Sequence, residues 1–241
     1  MACQLLGYGQ MSGEQQMHLD NLLLDDHSQN LQTSSIVRFQ SWTSPAISLG
    51  FHQKQYPQAW DAIAQTHGLD IVRRPTGGRA VLHKGDLVYS VITNVSIDGR
   101  ARSHREMYEH ICGFLIQGFA QLGIKLSYGT SGKGYIHNPS CFSTATNADL
   151  VVADGRKLIG SAQVYRRNSV LQHGSIAITP DYPLLAEIFQ SPVPVVGCQG
   201  ILTKMRGAST DYQWEGDLSE SMLRAKLIEV LSLSARQYFQ F

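Results

Sequence analysis

Arg73-Arg74-Pro75-Thr76-Gly77-Gly78-Arg79-Ala80-Val81-Leu82-His83 is the stretch of the chain that decides its fold and its chemistry. It lies between two apolar runs typical of strands, residues 69–72 and 87–92. Pro75 fixes one backbone angle, while Gly77 and Gly78 can adopt angles that other residues avoid and let a ligand approach the backbone. Three arginines place positive charge around that approach. Two interpretations follow: a tight hairpin with solvated charges, or a loop that holds a ligand.

The composition of the chain narrows its class. Its 241 residues, 43% hydrophobic and 16% charged, fit one domain with a sizeable core. The net charge is +1 without a long run of one sign, so we expect no nucleic acid partner. The sequence shows neither the ~20 apolar residues of a membrane span nor a signal peptide, so we expect a cytoplasmic chain without a membrane partner. The four scattered cysteines predict reduced thiols and no metal site.

The pattern of apolar residues predicts an α+β fold with a mixed, mostly antiparallel sheet packed by helices. The predicted helices span residues 13–28, 57–67, 104–122, 181–190 and 219–232. The predicted strands span residues 36–42, 46–49, 69–72, 87–92, 150–153, 157–165 and 170–178. Residues 127–146 form a glycine-rich loop, where functional side chains are often found. We expect a single domain over 1–241, with 192–241 as a candidate C-terminal helical appendage.

Lys157 begins a predicted strand, directly after a turn at Asp154-Gly155. Strand alternation predicts that Lys157 shares one face with Ser161 and that Gly160 lies on the opposite face. Such a lysine is either an exposed charge or a group with a chemical role. An ammonium can hold an acyl carbonyl or a phosphate, and a desolvated amine can act as a base.

Cys141 lies in the polar loop Asn138-Pro139-Ser140-Cys141-Phe142-Ser143. A loop thiol is a strong nucleophile when a nearby cation or base lowers its pKa. Cys112, on the long predicted helix, is better explained as a core residue, and Cys198 is a weaker loop candidate. Three histidines are candidates to activate a thiol, each with a structural role as the alternative: His83, His137 and His173.

Four segments, kept in order, make the chain resemble the biotin/lipoate protein ligase superfamily: residues 42–50, 73–83, 155–163 and 172–176. Within it, Pro139-Ser140-Cys141-Phe142 is similar to the loop of the cysteine-dependent octanoyltransferases. The resemblance implies the family's catalytic fold, a nucleophile at Cys141, and a lysine at Lys157 that orients a carbonyl or transfers a proton. It also implies the following substrate-binding residues: Arg73, Arg74, Gly77, Gly78, Arg79, His83, Gly160, Ser161, His173 and Gly174.

The activity that this resemblance implies is transfer of an octanoyl group from acyl carrier protein to a lipoyl-domain lysine, such as that of glycine cleavage H protein, in lipoate biosynthesis. The acyl group would pass through a thioester on Cys141, and no cofactor is expected because conversion of a thioester to an amide is downhill. Either Lys157 or a histidine would take the proton of the acceptor lysine.

Two alternatives remain open, and a third is disfavoured. An ATP-dependent lipoate–protein ligase would require ATP and Mg and leave Cys141 idle, although Arg79 stands where many ligases have a glycine and would crowd an adenylate. A non-catalytic acyl-binding or amidotransfer-adaptor protein would keep the binding site without turnover. A biotin ligase is disfavoured because the chain shows no DNA-binding segment.

Overall fold

The structure is a computed structural model that describes residues 3–30, 34–129, 149–190, 194–207 and 218–239. Cys141 and His137 therefore lie outside the described residues. The helices are α1 (Gly13–Gln29), α2 (Ala59–His67), α3 (His104–Gln121), α4 (Tyr182–Phe189), α5 (Cys198–Gly207) and α6 (Glu220–Tyr238). The strands are β1 (Cys3–Leu5), β2 (Gly9–Met11), β3 (Ser35–Trp42), β4 (Ala46–Leu49), β5 (Asp70–Arg73), β6 (Val81–His83), β7 (Asp86–Asn94), β8 (Ser96–Ile97), β9 (Arg100–Ala101), β10 (Ser127–Tyr128), β11 (Asp149–Val151), β12 (Lys157–Arg166) and β13 (Ser169–Ala177).

The main sheet confirms the predicted α+β class. Among the described residues its strand order is β1-β3-β7-β13-β12-β11-β10, with β2 paired to β3. The pairs from β3 through β7, β13 and β12 to β10 are antiparallel, whereas β1 and β2 run parallel to β3. Helices α3 and α6 cover one face and contribute to the largest apolar cluster. Helix α1 covers the other face, where Leu24 packs against Ile36, Ile92 and Leu171.

The first helix has a strong start signal and an unusually polar buried face. Ser12 forms a capping box, because its hydroxyl accepts from the amide of Gln15 while the Gln15 side chain accepts from the amide of Ser12. The buried positions nevertheless include Gln16, Asp20 and His27 beside the apolar ones. Polar groups in such a place require partners, and they find them on the main sheet.

The smaller sheet corrects the hairpin interpretation of the arginine–glycine segment. Strand β4 lies between β5, to which it is parallel, and β6, to which it is antiparallel. Strand β7 belongs to the main sheet. The segment therefore links two strands on either side of β4, and the interpretation as a tight hairpin is wrong. Helices α2 and α4 cover this sheet, and the indole nitrogen of Trp60 donates to the carbonyl of Ile188 at 2.8 Å.

The C-terminal helices pack against the rest of the chain. Leu202 of α5 and Leu223, Leu227 and Leu231 of α6 belong to the same apolar cluster as helix α3. Helix α5 was not predicted, and α6 is longer than predicted. No helix in the described part of the chain combines the length and the apolar character that a bilayer crossing requires.

His27 gives the fold a dependence on pH. Its imidazole is fully buried, with Nδ1 bonded to the Ser169 hydroxyl at 2.7 Å and Nε2 to the Ser34 carbonyl at 3.1 Å. Burial lowers the pKa of His27 below its ordinary value of 6.5, although the Ser34 carbonyl opposes the shift. The unfolded chain therefore takes up a proton that the folded chain resists. We expect acidification below pH 6.5 to lower the free energy of unfolding.

Urea unfolding between about pH 7.5 and pH 5.5 measures this effect. We expect His27→Gln to reduce the pH dependence without abolishing it, because burial also lowers the pKa of His110. Replacement of the exposed His52 by glutamine should leave it unchanged. An unaltered slope in His27→Gln would contradict this assignment.

Candidate active site

A cleft of about 530 Å³, counted with its open mouth, lies between α1, the main sheet and the arginine–glycine loop. Lys157, predicted as a catalytic residue, lines it together with seven of the predicted substrate-binding residues: Arg74, Gly78, His83, Gly160, Ser161, His173 and Gly174. Gly77 and Arg79 lie in the loop, and Arg73 ends strand β5 directly before it, but none of the three lines the cleft. The structure therefore brings together residues that are as far apart in the chain as Arg74 and Gly174.

Lys157 is the fully buried cation of this cleft. Its Nζ lies 2.7 Å from Oδ1 of Asp149, and the exposed fractions of the two side chains are 0% and 3%. The backbone of Lys157 is also fixed, because its amide donates to the Pro194 carbonyl and its carbonyl accepts from the Val196 amide, both at 2.9 Å. The interpretation as an exposed charge is therefore excluded.

A β-bulge in strand β12 overturns the predicted alternation. Lys157 stands opposite Val151, but Ile159 stands opposite Leu150, so Leu158 is an extra residue in β12. As a result, a Cβ on Gly160 would lie 2.7 Å from Cε and 3.0 Å from Nζ of Lys157. The lysine thus lies against Gly160 rather than beside Ser161, whose hydroxyl bonds that of Tyr89 at 2.7 Å in the core.

The two arginines at the start of the glycine loop shape its backbone. The Arg74 guanidinium is buried and donates to the carbonyls of Ser48, Gly77 and Arg79 at 2.7–2.8 Å. The Arg73 guanidinium donates to the carbonyls of Gly50 and Gln53. Both arginines therefore hold the loop in place, and a direct role in binding substrate stays a prediction.

Glycine is needed where the loop meets strand β4. A Cβ on Gly50 would lie 1.8 Å from the Gly78 carbonyl oxygen, a distance that no side chain tolerates. Gly78 has a φ of 89°, in the left-handed region that favours glycine. Gly77 has open space where its Cβ would be, so packing does not require a glycine there.

His83 is held between a hydroxyl and a carboxylate. Its Nε2 lies 2.8 Å from the Ser48 hydroxyl, and its Nδ1 lies 2.8 Å from Oδ2 of Asp86, which also accepts from the Ser175 hydroxyl. The imidazole stacks on Trp42 with ring centroids 4.3 Å apart. Because a carboxylate only accepts hydrogen bonds, Nδ1 carries the proton and donates to Asp86. Nε2 of the neutral ring then accepts a hydrogen bond from the Ser48 hydroxyl.

His173 is held in the same way. Its Nδ1 lies 2.8 Å from Oδ2 of Asp20, and its Nε2 lies 2.7 Å from the Thr76 hydroxyl. Both ring nitrogens of His83 and of His173 are therefore already bonded. A proton leaving a substrate would have to pass through another group to reach either imidazole.

The carboxylates that anchor these cationic and imidazole groups were missed by sequence reasoning. Asp20 could have been identified from the sequence, because it is a charged residue one helical turn from Met17 on the buried face of a predicted helix. Asp86 follows His83 by three positions, which places the two side chains close together only because the chain turns at Gly85, with a φ of 70°. Asp149 gave no signal that we can identify.

The two buried thiols of the described residues, Cys112 and Cys198, are poor nucleophiles. Burial raises the pKa of Cys112 to about 12, despite a hydrogen bond that its sulfur accepts from Gln172. Burial also raises the pKa of Cys198 to about 12, and this residue begins helix α5 instead of lying in the predicted loop. The interpretation of Cys112 as a core residue is confirmed.

The fold is that of the lipoate ligase-like catalytic domains. Lipoate-protein ligase A bound with ATP matches with a TM-score of 0.68 at 20% sequence identity, covering 97% of this chain and 85% of that one. Residues 12–201 match the model of the lipoyl protein ligase A/B catalytic domain. The chain belongs to this family.

Relatives in sequence carry a more specific name. The octanoyltransferase LipM of Geobacillus kaustophilus (strain HTA426) is 38% identical over 183 residues, which cover 73% of this chain and 65% of that protein. The octanoyltransferase LipM of Halalkalibacterium halodurans is 37% identical over 183 residues, with 73% and 66% covered. The chain thus matches slightly less than two thirds of the length of these relatives.

Proposed function

We propose that this protein is an octanoyltransferase that moves an octanoyl group from acyl carrier protein to a lipoyl-domain lysine, such as that of glycine cleavage H protein, in the cytoplasm. The observation that carries the proposal is the fully buried Lys157, held by Asp149 in the wall of a cleft beside the glycine loop. The relatives named octanoyltransferase support it. The role of Cys141 rests on the sequence, since this residue lies outside the described segments.

In the first step, the thiolate of Cys141 attacks the carbonyl carbon of the octanoyl thioester. The acyl–sulfur bond to acyl carrier protein breaks, its thiolate leaves, and a new thioester forms on the enzyme. The Lys157 ammonium, desolvated and oriented by Asp149, donates a hydrogen bond to the carbonyl oxygen as negative charge develops there. One thioester replaces another, so this step needs no energy source.

In the second step, the amine of the acceptor lysine attacks the acyl-enzyme and the Cys141 thiolate leaves. The product is an amide, so the reaction is downhill without a nucleotide or a metal. The amine must lose a proton, and Lys157 is the better candidate to relay it, because both nitrogens of His83 and of His173 are already engaged. The Lys157 ammonium gives a proton to the leaving Cys141 thiolate, and the neutral amine so formed takes the proton of the attacking lysine.

The cleft also offers an apolar surface for the acyl chain. Met17, Trp42, Val81 and Val88 line it together with the small residues Gly160 and Gly174. A Cβ on Gly174 would lie 2.5 Å from the Gly160 carbonyl oxygen, so the two strands leave no room for a side chain there. Each methylene buried against such a wall contributes about 0.8 kcal/mol, which favours a medium-length chain over a short one.

Transfer without nucleotide tests the proposal against the ligase alternative. Purified protein, octanoyl carrier protein and an unmodified lipoyl domain are mixed without nucleotide in the presence of EDTA. The mass of the lipoyl domain is then measured by mass spectrometry. We expect the octanoyl amide to form. Product that appears only from free octanoate with ATP and Mg²⁺ would overturn the proposal, and binding of octanoate without either reaction would favour the acyl-binding alternative.

Gly160→Ala is expected to slow transfer about tenfold or more, because the new methyl group forces the Lys157 side chain away from its position. The loss of stability should be smaller, about 1–3 kcal/mol, as for other overpacked sites. Transfer rates and thermal unfolding measure the two effects. The matched control is Gly7→Ala, where the added methyl group meets nothing within 4 Å and both quantities should stay unchanged. A fully active Gly160→Ala variant would show that the position of Lys157 is unimportant.

A further inference from the structure

A row of polar side chains crosses the main sheet beneath helix α1. Arg38 of β3 stands opposite Ser90 of β7, and Ser90 stands opposite His173 of β13. The side chains of all three donate hydrogen bonds to the buried carboxylate of Asp20. Its Oδ1 accepts from Arg38 Nη2 at 2.8 Å and from the Ser90 hydroxyl at 3.0 Å, while its Oδ2 accepts from His173 Nδ1 at 2.8 Å. Three strands and one helix thus fix the orientation of the His173 ring.

The row continues from the main sheet into the glycine loop. His173 Nε2 accepts a hydrogen bond from the Thr76 hydroxyl at 2.7 Å. Thr76 is fully buried and directly precedes Gly77 and Gly78. The carbonyl of Thr76 accepts from the amide of Phe51 at 2.9 Å, at the end of strand β4. Thr76 therefore joins the loop to the main sheet through its side chain and to the segment that follows β4 through its backbone.

We propose that Asp20 and His173 are positioning residues that hold Thr76, and with it the Gly77-Gly78 turn, at the height above the sheet where the loop forms the wall of the acyl cleft. This inference rests on the proposed function for the identity of the ligand. The bonds from Arg73 and Arg74 shape the loop and join it to β4, but they do not fix its distance from β13. The Asp20–His173–Thr76 relay fixes that distance.

The consequence is a specific kinetic signature. A loop that is displaced from the cleft loses contact with the acyl chain equally in the ground state and in the transition state. KM for the octanoyl donor therefore rises while kcat is retained. Neither His173 nor Thr76 takes part in proton transfer in this scheme. A substitution that only reduced the amount of folded enzyme would lower the apparent kcat instead and leave KM unchanged.

The test compares Thr76→Val, which removes the hydroxyl at nearly constant shape, with Thr76→Ser, which keeps it. The matched control is Thr93→Val, because Thr93 is also buried and bonds the Ser35 hydroxyl at 2.8 Å outside the cleft. We expect Thr76→Val to raise KM for the octanoyl donor about tenfold with kcat within about twofold, as for loss of one hydrogen bond. Thr76→Ser should restore KM, and Thr93→Val should leave it unchanged.

Hydrogen exchange gives a second readout that needs no catalysis. The Phe51 amide, bonded to the Thr76 carbonyl, should exchange about tenfold faster in Thr76→Val than in the native chain, while its rate in Thr93→Val stays native. His173→Asn, too short to reach both Asp20 and Thr76, should reproduce both changes if Thr76→Val does not fold.

Unchanged Phe51 exchange in these variants would overturn the positioning role, as would a fall in kcat with KM unchanged. A wild-type chain that transfers no octanoyl group refutes the proposed function alone, because the exchange measurement still decides whether the relay holds the loop.

Discussion

Replacement of Lys157 by methionine is expected to lower the free energy of unfolding by about 3–5 kcal/mol, because it leaves the buried Asp149 carboxylate without this ammonium. The same substitution should reduce octanoyl transfer by about 10²–10⁴-fold, since it removes the group that faces the acyl carbonyl in the proposed mechanism. Chemical unfolding and single-turnover transfer measure the two effects separately.

The double variant Lys157→Met, Asp149→Leu separates the structural role of the pair from its chemical role. Replacing a buried ion pair by apolar residues of similar size is often neutral for stability, so the double variant should recover most of the lost free energy of unfolding. Transfer should remain as low as in Lys157→Met. A double variant that is both stable and active would show that Lys157 serves only the fold.

Cys141→Ser is expected to reduce transfer by at least about a thousandfold, the scale on which the loss of a covalent nucleophile acts. A serine hydroxyl lacks the acidity of a thiol, so it cannot supply the anion that attacks the donor thioester. The rate of octanoyl transfer to a lipoyl domain measures the effect, and thermal unfolding should stay near the native midpoint.

Cys3→Ser is the matched control for this change. Cys3 is a free thiol on strand β1 that does not line the cleft, so its replacement should leave transfer unchanged. If Cys141→Ser transfers octanoyl groups at the native rate, the chain does not work through a thioester at this position.

The parts of the fold that sequence could predict are those with local causes. Helix α1 begins at Gly13 as predicted, because the capping box that starts it involves only Ser12 and Gln15, three positions apart. The turn between β11 and β12 was predicted at Asp154-Gly155, and Gly155 has a φ of 81° there. In each case neighbouring residues decide the backbone angles.

The parts that sequence could not predict depend on distant partners. Strand β6 exists because Val81 and Leu82 pair with β4, more than thirty positions away, and its three residues carry no pattern of their own. The bulge at Leu158 turns Lys157 toward Gly160, and it arises from the register with β11. A single extra residue thereby reversed the predicted face of the lysine on which the proposed chemistry rests.

The candidate site shows the same division. The lysine and the glycine loop could be identified from the sequence, because they lie in segments that resemble, in order, those of a known family. The carboxylates Asp20, Asp86 and Asp149 could not, since each acts through a partner on another element. Their contribution is to fix the orientation of a cation or an imidazole, which is a property of the folded chain.

Mass spectrometry of the native protein mixed with octanoyl carrier protein, without nucleotide and without acceptor, is the most direct test of the proposed thioester. The account predicts one octanoyl adduct, on Cys141, that hydroxylamine removes and that an added lipoyl domain takes up. A chain that carries no adduct, yet modifies the lipoyl domain once ATP is supplied, would contradict it.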